Sequence, residues 1–199
     1  MRDRNKKIIG ITGGVGAGKS SVLDILKNTF GARVILADLV AHDLMEPGMD
    51  GLKLVVDALG DSFIREDGTV DRKALADIIF NDENALKTMN GIIHPMVWEW
   101  IRAEALSCEE TFVIVEAAIF DTAPEGLFDE IWYVYTTEEN RIERLMASRG
   151  YTREKCISII KKQDSEEVYR NRAHRTIDNN GSAEDTEKQL KEILGHEIC

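Results

Sequence analysis

Short apolar runs broken by glycine alternate along the chain with stretches whose apolar residues recur at helical spacing. Ile8-Ile9-Gly10-Ile11 is the first run and reads as a buried strand. Val22, Ile25, Leu26 and Phe30 follow on one face of a helix that Gly31 stops. The β-branched run over 33–38 predicts a second strand ending in the carboxylate of Asp38, with a helix over 39–45 behind it. Pro47-Gly48 breaks the chain. Helices are expected over 52–59, stopped by Gly60, and from Asp71 onward, with Leu75, Ile78, Ile79 and Phe80 as the apolar side. Glu66-Asp67-Gly68-Thr69 is a turn between them. Two more helices are predicted over 83–93 and 96–106, separated at His94-Pro95 because a residue before proline is pushed out of the helical region. Strands return over 111–116 and 129–135, with a loop over 117–126. Apolar positions for two helices fall within 141–175. A short strand over 176–178, a turn at Asn179-Asn180-Gly181 and a polar, peripheral helix over 183–198 complete the pattern. Strands separated by helical stretches predict a parallel, doubly wound α/β sheet. The strandless segment 46–106 is long for a single crossover and reads as an inserted helical lobe.

Between the first strand and the first helix lies Gly13-x-x-x-x-Gly18-Lys19-Ser20, the phosphate-binding loop pattern in the strand–loop–helix context it needs. Glycines let backbone N–H groups turn inward on an anion, and the helix N-terminus adds partial positive charge. The expected nucleotide cradle is Gly14, Val15, Gly16, Ala17, Gly18, Lys19, Ser20 and Ser21. Lys19 would reach the β- and γ-phosphates of ATP, and the Ser20 hydroxyl would ligate Mg2+.

Two carboxylates end strands, and ligands of open α/β sheets bind beyond the carboxyl ends of strands. Asp38 fits an acid at that crevice, facing the loop of Lys19; it equally fits an N-cap of the next helix. Glu116 fits an acid acting on Mg2+, and equally a carboxylate paired with a basic side chain.

The formal net charge is −11, which argues against a general nucleic-acid or anionic-membrane binder and requires any anionic substrate to meet a local basic cluster. One such segment exists: ten lysines and arginines lie between Arg141 and Arg175, opposed by Glu143, Glu154, Asp164, Glu166 and Glu167. A charge run is usually a solvated face. Arginines on a helical pair just after a sheet strand also describe a lid over ATP, with Arg144 the best single candidate to neutralise the transferred phosphoryl. Cys108, Cys156 and Cys199 are odd in number and lack metal spacing, as expected of idle thiols in a reducing cytosol. No signal peptide or membrane span is visible, so the expected location is cytoplasmic. Together these features predict a small-molecule phosphotransferase in which Asp38 orients and deprotonates an attacking hydroxyl while Lys19, Mg2+ and Arg144 neutralise charge.

The sequence resembles the dephospho-CoA kinase family from about Ile8 to Gly181. The blocks that carry the resemblance are the phosphate loop, Ala37-Asp38, Asp67-Gly68-Thr69-Val70-Asp71-Arg72-Lys73-Ala74-Leu75, Ile78-Ile79-Phe80, Ile92-Ile93-His94-Pro95 and Ile177-Asp178-Asn179-Asn180-Gly181. It implies a three-layer P-loop NTPase fold with a parallel sheet, a helical substrate-binding insert and a helical lid. The core would span about 1–45, 107–140 and 176–199, the substrate lobe about 46–106, and the lid about 141–175, in one domain. The implied reaction is ATP-dependent phosphorylation of the ribose 3′-hydroxyl of dephospho-CoA, by a monomer or weak homo-oligomer. Asp38 takes the position of the family base, Arg144 that of its lid arginine, and Asn180 falls in a block on the nucleotide side. His94 and Arg72 fall in substrate-side blocks; structurally, His94 would cap a helix and Arg72 would pair with Asp71 or Asp77. The chain departs from the family at Arg141, where glutamine is usual, and at Ser148, where a second arginine is usual and Arg149 stands one place along. It also departs at Ala117-Ala118-Ile119-Phe120-Asp121, where Pro-Leu-Leu-Phe-Glu is usual, and at Ala173-His174, where Ala-Asp is usual.

Overall fold

A computed structural model of the chain describes residues 6–195. The described residues divide into two compact units. The first holds the residues up to Ile35, Cys108–Phe120 and those from Phe128 onward; the second holds Leu36–Ser107 and Asp121–Leu127.

Five strands form the sheet: β1 (Lys7–Thr12), β2 (Arg33–Leu36), β3 (Phe112–Glu116), β4 (Glu130–Tyr135) and β5 (Arg175–Asp178). Their order is β2-β3-β1-β4-β5, and β1 pairs in parallel with both β3 and β4. Ile9 faces Ile114 on one side and Glu130 on the other. The chain therefore switches direction of winding at the carboxyl end of β1, where ligands of such sheets bind. β1 and β3 are almost wholly buried, which explains their unbroken apolar runs.

The first unit adds α1 (Lys19–Phe30), α6 (Glu138–Arg149), α7 (Arg153–Ile160), α8 (Glu166–Arg172) and α9 (Ala183–Gly195). Between Arg141 and Arg175 there are thus parts of three helices, not two. The third arises because the hydroxyl of Ser165 accepts from the Val168 N–H and starts α8. α9 is not peripheral: Thr186, Leu190 and Leu194 are buried and the helix packs on α1. Its three buried positions, four residues apart, suffice for one inward stripe on an otherwise polar helix. The expected extension to residue 198 lies beyond the described residues.

The second unit is helical: α2 (Ala37–Asp43), α3 (Asp50–Leu59), α4 (Arg72–Asn81) and α5 (Glu83–Ser107), with α5 packed against the other three. Asp71 caps α4 by accepting from the N–H groups of Lys73 and Ala74. The Asp67 carboxylate accepts from Thr69 N–H and closes the turn before it. The predicted break at His94-Pro95 does not occur; α5 is continuous through Pro95. Interior proline costs a helix about 3 kcal/mol. Ile93, Val97, Trp98, Ile101 and Ala105 are buried on both sides of it, each large apolar side chain contributing about 1.5–3 kcal/mol, so packing overrides the local rule. Phe80, assigned to the apolar side of α4, is 89% exposed; Leu75 carries the burial of that helix.

Candidate active site

The phosphate loop runs from the end of β1 into α1. Gly18 is the N-cap of α1 in the left-handed region (φ 85°, ψ 28°), with no side-chain cap on the helix. The first N–H groups of α1 are therefore left for a ligand. Lys19 folds back over the loop: its Nζ donates to the Gly13 carbonyl at 2.8 Å and stands 3.4 Å from Glu116 Oε1. Glu116 thus has the basic partner that was one of its two expected readings. Ser20 and Ser21 open α1 with exposed side chains.

The underside of the loop is held by side chains from elsewhere. Arg141 Nε donates to the Val15 carbonyl at 2.9 Å, and its Nη2 donates to Gln163 Oε1. Gln163 Oε1 also accepts from the Val15 N–H at 3.1 Å, so the main-chain groups of Val15 are tied to α6 and to the turn after α7. The Val15 side chain packs on the cluster of Ile142, Leu145, Cys156 and Ile160. A Cβ at Gly14 would overlap the Arg141 guanidinium, so this approach requires glycine. Burial pushes the Arg141 pKa down from its ordinary value.

Arg144 lies beneath the next turn of the loop. Its Nη1 donates to the Ala17 carbonyl at 3.2 Å and to Thr136 Oγ1 at 3.4 Å, and its Nη2 donates to the Asn179 carbonyl at 2.7 Å. Three bonds leave two of the five guanidinium N–H donors for another partner. Asn180 is engaged in its own turn: its Oδ1 accepts from the Thr137 N–H and from Asn140 Nδ2, both at 2.9 Å, and its Nδ2 donates to Asp178 Oδ1. Of the remaining cations in the segment, Arg153, Arg170 and Arg172 sit in exposed pairs with Glu139, Glu166 and Asp164, and the exposed Arg175 pairs with the half-buried Glu130. Those four follow the solvated-face expectation, whereas Arg141 and Arg144 face the loop. Arg149 ends α6 exposed, and Ser148 Oγ donates to the Arg144 carbonyl at 2.6 Å.

Asp38, Arg72 and His94 belong to the second unit. β2 stops at Leu36, which is the N-cap of α2, so Asp38 is an exposed residue in the first helical turn and not the cap. Arg72 pairs with Glu46 (Nη2 to Oε1, 3.2 Å) rather than with Asp71 or Asp77, and His42 Nδ1 stands 3.5 Å from the same Glu46 oxygen. His94 caps nothing; it lies inside α5 with Nδ1 at 3.2 Å from Thr122 Oγ1, which also accepts from Trp98 Nε1. The structure therefore gathers the loop, Lys19, Glu116, Arg144 and Asn180 in one unit and Asp38, Arg72 and His94 in the other.

Sequence reasoning missed Asn179, Thr136 and Gln163, all hydrogen-bonded to the loop or to its arginines. The signal for Asn179 was its place beside Asn180 in the turn and in the block Ile177-Asp178-Asn179-Asn180-Gly181. Cys156 is a buried thiol, and Cys108 Sγ accepts from Lys6 Nζ at 3.4 Å; Cys199 lies outside the described residues. Among the described residues no helix is long and apolar enough to cross a membrane.

The family model of dephospho-CoA kinase matches residues 7–185. A dephospho-CoA kinase of Carboxydothermus hydrogenoformans is 37% identical over 191 residues, covering 94% of this chain and 92% of the relative. The crystal structure of TT1252 from Thermus thermophilus superposes with a TM-score of 0.78 at 33% identity, over 96% of this chain and 97% of that one. Dephospho-CoA kinase from Campylobacter jejuni shares the fold, with a TM-score of 0.62 at 24% identity over 97% and 98% of the two chains.

Proposed function

The chain belongs to the dephospho-CoA kinase family, and on that premise we propose how its residues move a phosphoryl group from ATP to the ribose 3′-hydroxyl of dephospho-CoA, the last step of coenzyme A synthesis. The observation that carries the reading is the loop itself, a glycine turn ahead of an uncapped helix N-terminus with Lys19 folded across it. The loop from Gly14 to Ser21 holds the phosphates through the α1 terminus and those main-chain N–H groups not engaged, as those of Val15 and Ala17 are, with Gln163 and the Gly14 carbonyl. Lys19 exchanges its Gly13 and Glu116 contacts for the β- and γ-phosphate oxygens. Arg144 offers its two remaining N–H donors to charge developing on the transferred group, and the Asn180 turn bounds the nucleotide side. Asp38 orients the ribose hydroxyl and accepts its proton as the oxygen attacks phosphorus. Arg72 and His94, in the helical segment about 46–106, bind the substrate, and the segment about 141–175 acts as the lid that excludes competing water.

Ser20 and Glu116 offer a hydroxyl and a carboxylate oxygen, the hard donors that suit Mg2+. When bound there the ion would neutralise phosphate charge. The proposed location is the cytoplasm, and the proposed acting form a monomer or weak homo-oligomer. The test is a coupled ADP-release assay with ATP and Mg2+, comparing dephospho-CoA with AMP, adenosine and no acceptor. Release only with dephospho-CoA is expected; equal release with another acceptor or with none overturns the reading.

A further inference from the structure

Below the phosphate loop the peptide between Ala17 and Gly18 is the most heavily bonded of the segment. The Ala17 carbonyl accepts from Asn179 Nδ2 at 2.8 Å, from Thr136 Oγ1 at 2.9 Å and from Arg144 Nη1 at 3.2 Å. Ala17, Thr136 and Asn179 are all buried. In a trans peptide the C=O and the following N–H point in opposite directions. A carbonyl fixed downward therefore aims the Gly18 N–H to the upper, ligand side, immediately before Lys19.

Asn179 is the member of this clamp with no freedom to turn. It is 6% exposed, and each of its polar groups has a partner. Its Nδ2 also reaches the Gly18 carbonyl at 3.4 Å. Its Oδ1 accepts from Thr186 Oγ1 at 2.9 Å, and Thr186 on α9 is itself only 1% exposed. Its main-chain N–H donates to the Tyr135 carbonyl at 2.8 Å, and its carbonyl receives Arg144 Nη2. A rotation of the side-chain amide would set Oδ1 against the two loop carbonyls and leave buried groups unpaired. A Cβ on Gly18 would strike Asn179 Nδ2, so the loop and this amide are fitted to each other.

We propose that Asn179, oriented by Thr186, is a positioning residue for phosphoryl transfer: it fixes the Ala17–Gly18 peptide and seats Arg144, and so sets the N–H array that receives the ATP phosphates. The proposal rests on the reading of the loop as the ATP site and deepens it. Asn179 acts through the loop and touches no reacting atom.

Gln189 supplies the control. It lies one turn beyond Thr186 on α9 and ties that helix to the same strand end, its Nε2 donating to the Asp178 carbonyl at 2.8 Å and its Oε1 accepting from the Asp178 N–H at 3.0 Å. It has no bond to the loop. The experiment measures ATP affinity by titration calorimetry, steady-state kinetics with both substrates, and melting temperature, on the full chain and on Asn179→Ala, Thr186→Val and Gln189→Ala. Asn179→Ala is expected to weaken ATP binding about tenfold or more, the effect of losing one well-placed buried hydrogen bond, and to lower kcat while KM for dephospho-CoA stays within about twofold. Thr186→Val should shift ATP affinity in the same direction by a smaller factor, and it answers the question alone if Asn179→Ala does not fold. Gln189→Ala should lower the melting temperature and leave ATP affinity unchanged. If the Asn179 and Thr186 variants lose only melting temperature, as the Gln189 variant does, the residue is structural and the inference fails. Failure of the unaltered chain to bind ATP would instead overturn the reading of the loop, and this inference with it.

Discussion

α1 begins and ends on a glycine in the left-handed region, and the two glycines separate backbone strain from close approach. Gly18 has φ 85° and ψ 28°; Gly31 has φ 63° and ψ 27°. An alanine at either position meets the same penalty for left-handed geometry, about 1–2 kcal/mol. At Gly31 a Cβ meets nothing within 4 Å, so that penalty is the whole cost. At Gly18 a Cβ would strike Asn179 Nδ2 and come within 3.0 Å of Arg144 Nη1. Displacing both adds an overpacking cost of about 1–3 kcal/mol and a lost hydrogen bond of about 1 kcal/mol. The expected totals are about 1–2 kcal/mol for Gly31→Ala and about 3–6 kcal/mol for Gly18→Ala. For a chain of this size 1 kcal/mol shifts Tm by about 2–4 °C. Gly31→Ala should therefore melt about 2–8 °C below the unaltered protein and bind ATP as well as it does. Gly18→Ala should melt distinctly lower still and lose ATP affinity by at least about tenfold. Thermal melts and ATP titrations of the two variants side by side decide the matter. Equal melting temperatures with equal ATP affinity would show that Asn179 yields to the methyl group and that the fit beneath the loop constrains nothing.

Asp38→Asn removes a proposed base, so kcat should fall by about 10^2–10^4 with the KM for ATP little changed. Because Leu36 and not Asp38 caps α2, stability should change only by the loss of a first-turn charge, about 0.3–1 kcal/mol; a large drop in Tm with turnover spared would refute the assignment. Glu130 accepts from Arg175 Nε at 2.6 Å and Nη2 at 2.9 Å, and Arg175, then Trp132, holds its carboxyl below the ordinary value of 4.5. Its folded pKa lies below its unfolded one, so the stabilisation is present above pH 4.5 and disappears as pH falls through the lowered value. Glu130→Gln should accordingly cost about 0.5–1 kcal/mol near pH 7, with the difference in Tm from the unaltered protein closing under acid; a pH-independent difference contradicts the sign. Arg141→Ala leaves the Val15 carbonyl without its side-chain donor, at about 1–3 kcal/mol where burial is retained, while Gln163 Oε1 keeps the Val15 N–H. Denaturant unfolding should register that loss, and Arg141→Gln, the residue that the family resemblance expects there, should restore part of it.

The sheet, the phosphate loop and the first helix were legible because each depends on neighbours in sequence. The apolar runs of β1 and β3 have the spacing of buried parallel strands, and Gly18-Lys19-Ser20 stands where a strand passes into a helix. The misreadings share a different cause. Phe80 looks like core by residue type, but whether a side chain is covered depends on what packs against it. Pro95 looks like a break, but burial on both sides of it outweighs one missing hydrogen bond. α9 looks peripheral by composition, yet three inward positions are enough to bury it. Arg72 looked ready to pair with an aspartate nearby in sequence and found Glu46 on another element.

The same distinction explains why Arg141 read as a departure from the family lid and turned out to hold the loop. Its acceptors are the Val15 carbonyl, a main-chain group with no mark in the sequence, and Gln163, which lies in the turn beyond the next helix. A buried main-chain carbonyl must find a donor or cost free energy. The carbonyls of Val15 and Ala17 find theirs in Arg141, Arg144, Thr136 and Asn179, drawn from α6, the end of β4 and the end of β5. Each such bond turns the following N–H to the opposite side of the chain. The proposed anion site above the loop would thus be built in part from below, by ordinary hydrogen-bond satisfaction. Two of those donors are arginines, so the clamp also brings positive charge to the loop in a chain of net charge −11. Because exposed charges are screened over about 8 Å in physiological salt, Arg141 and Arg144 beneath the loop and Lys19 across it weigh more at the proposed phosphate site than acidic residues beyond that distance.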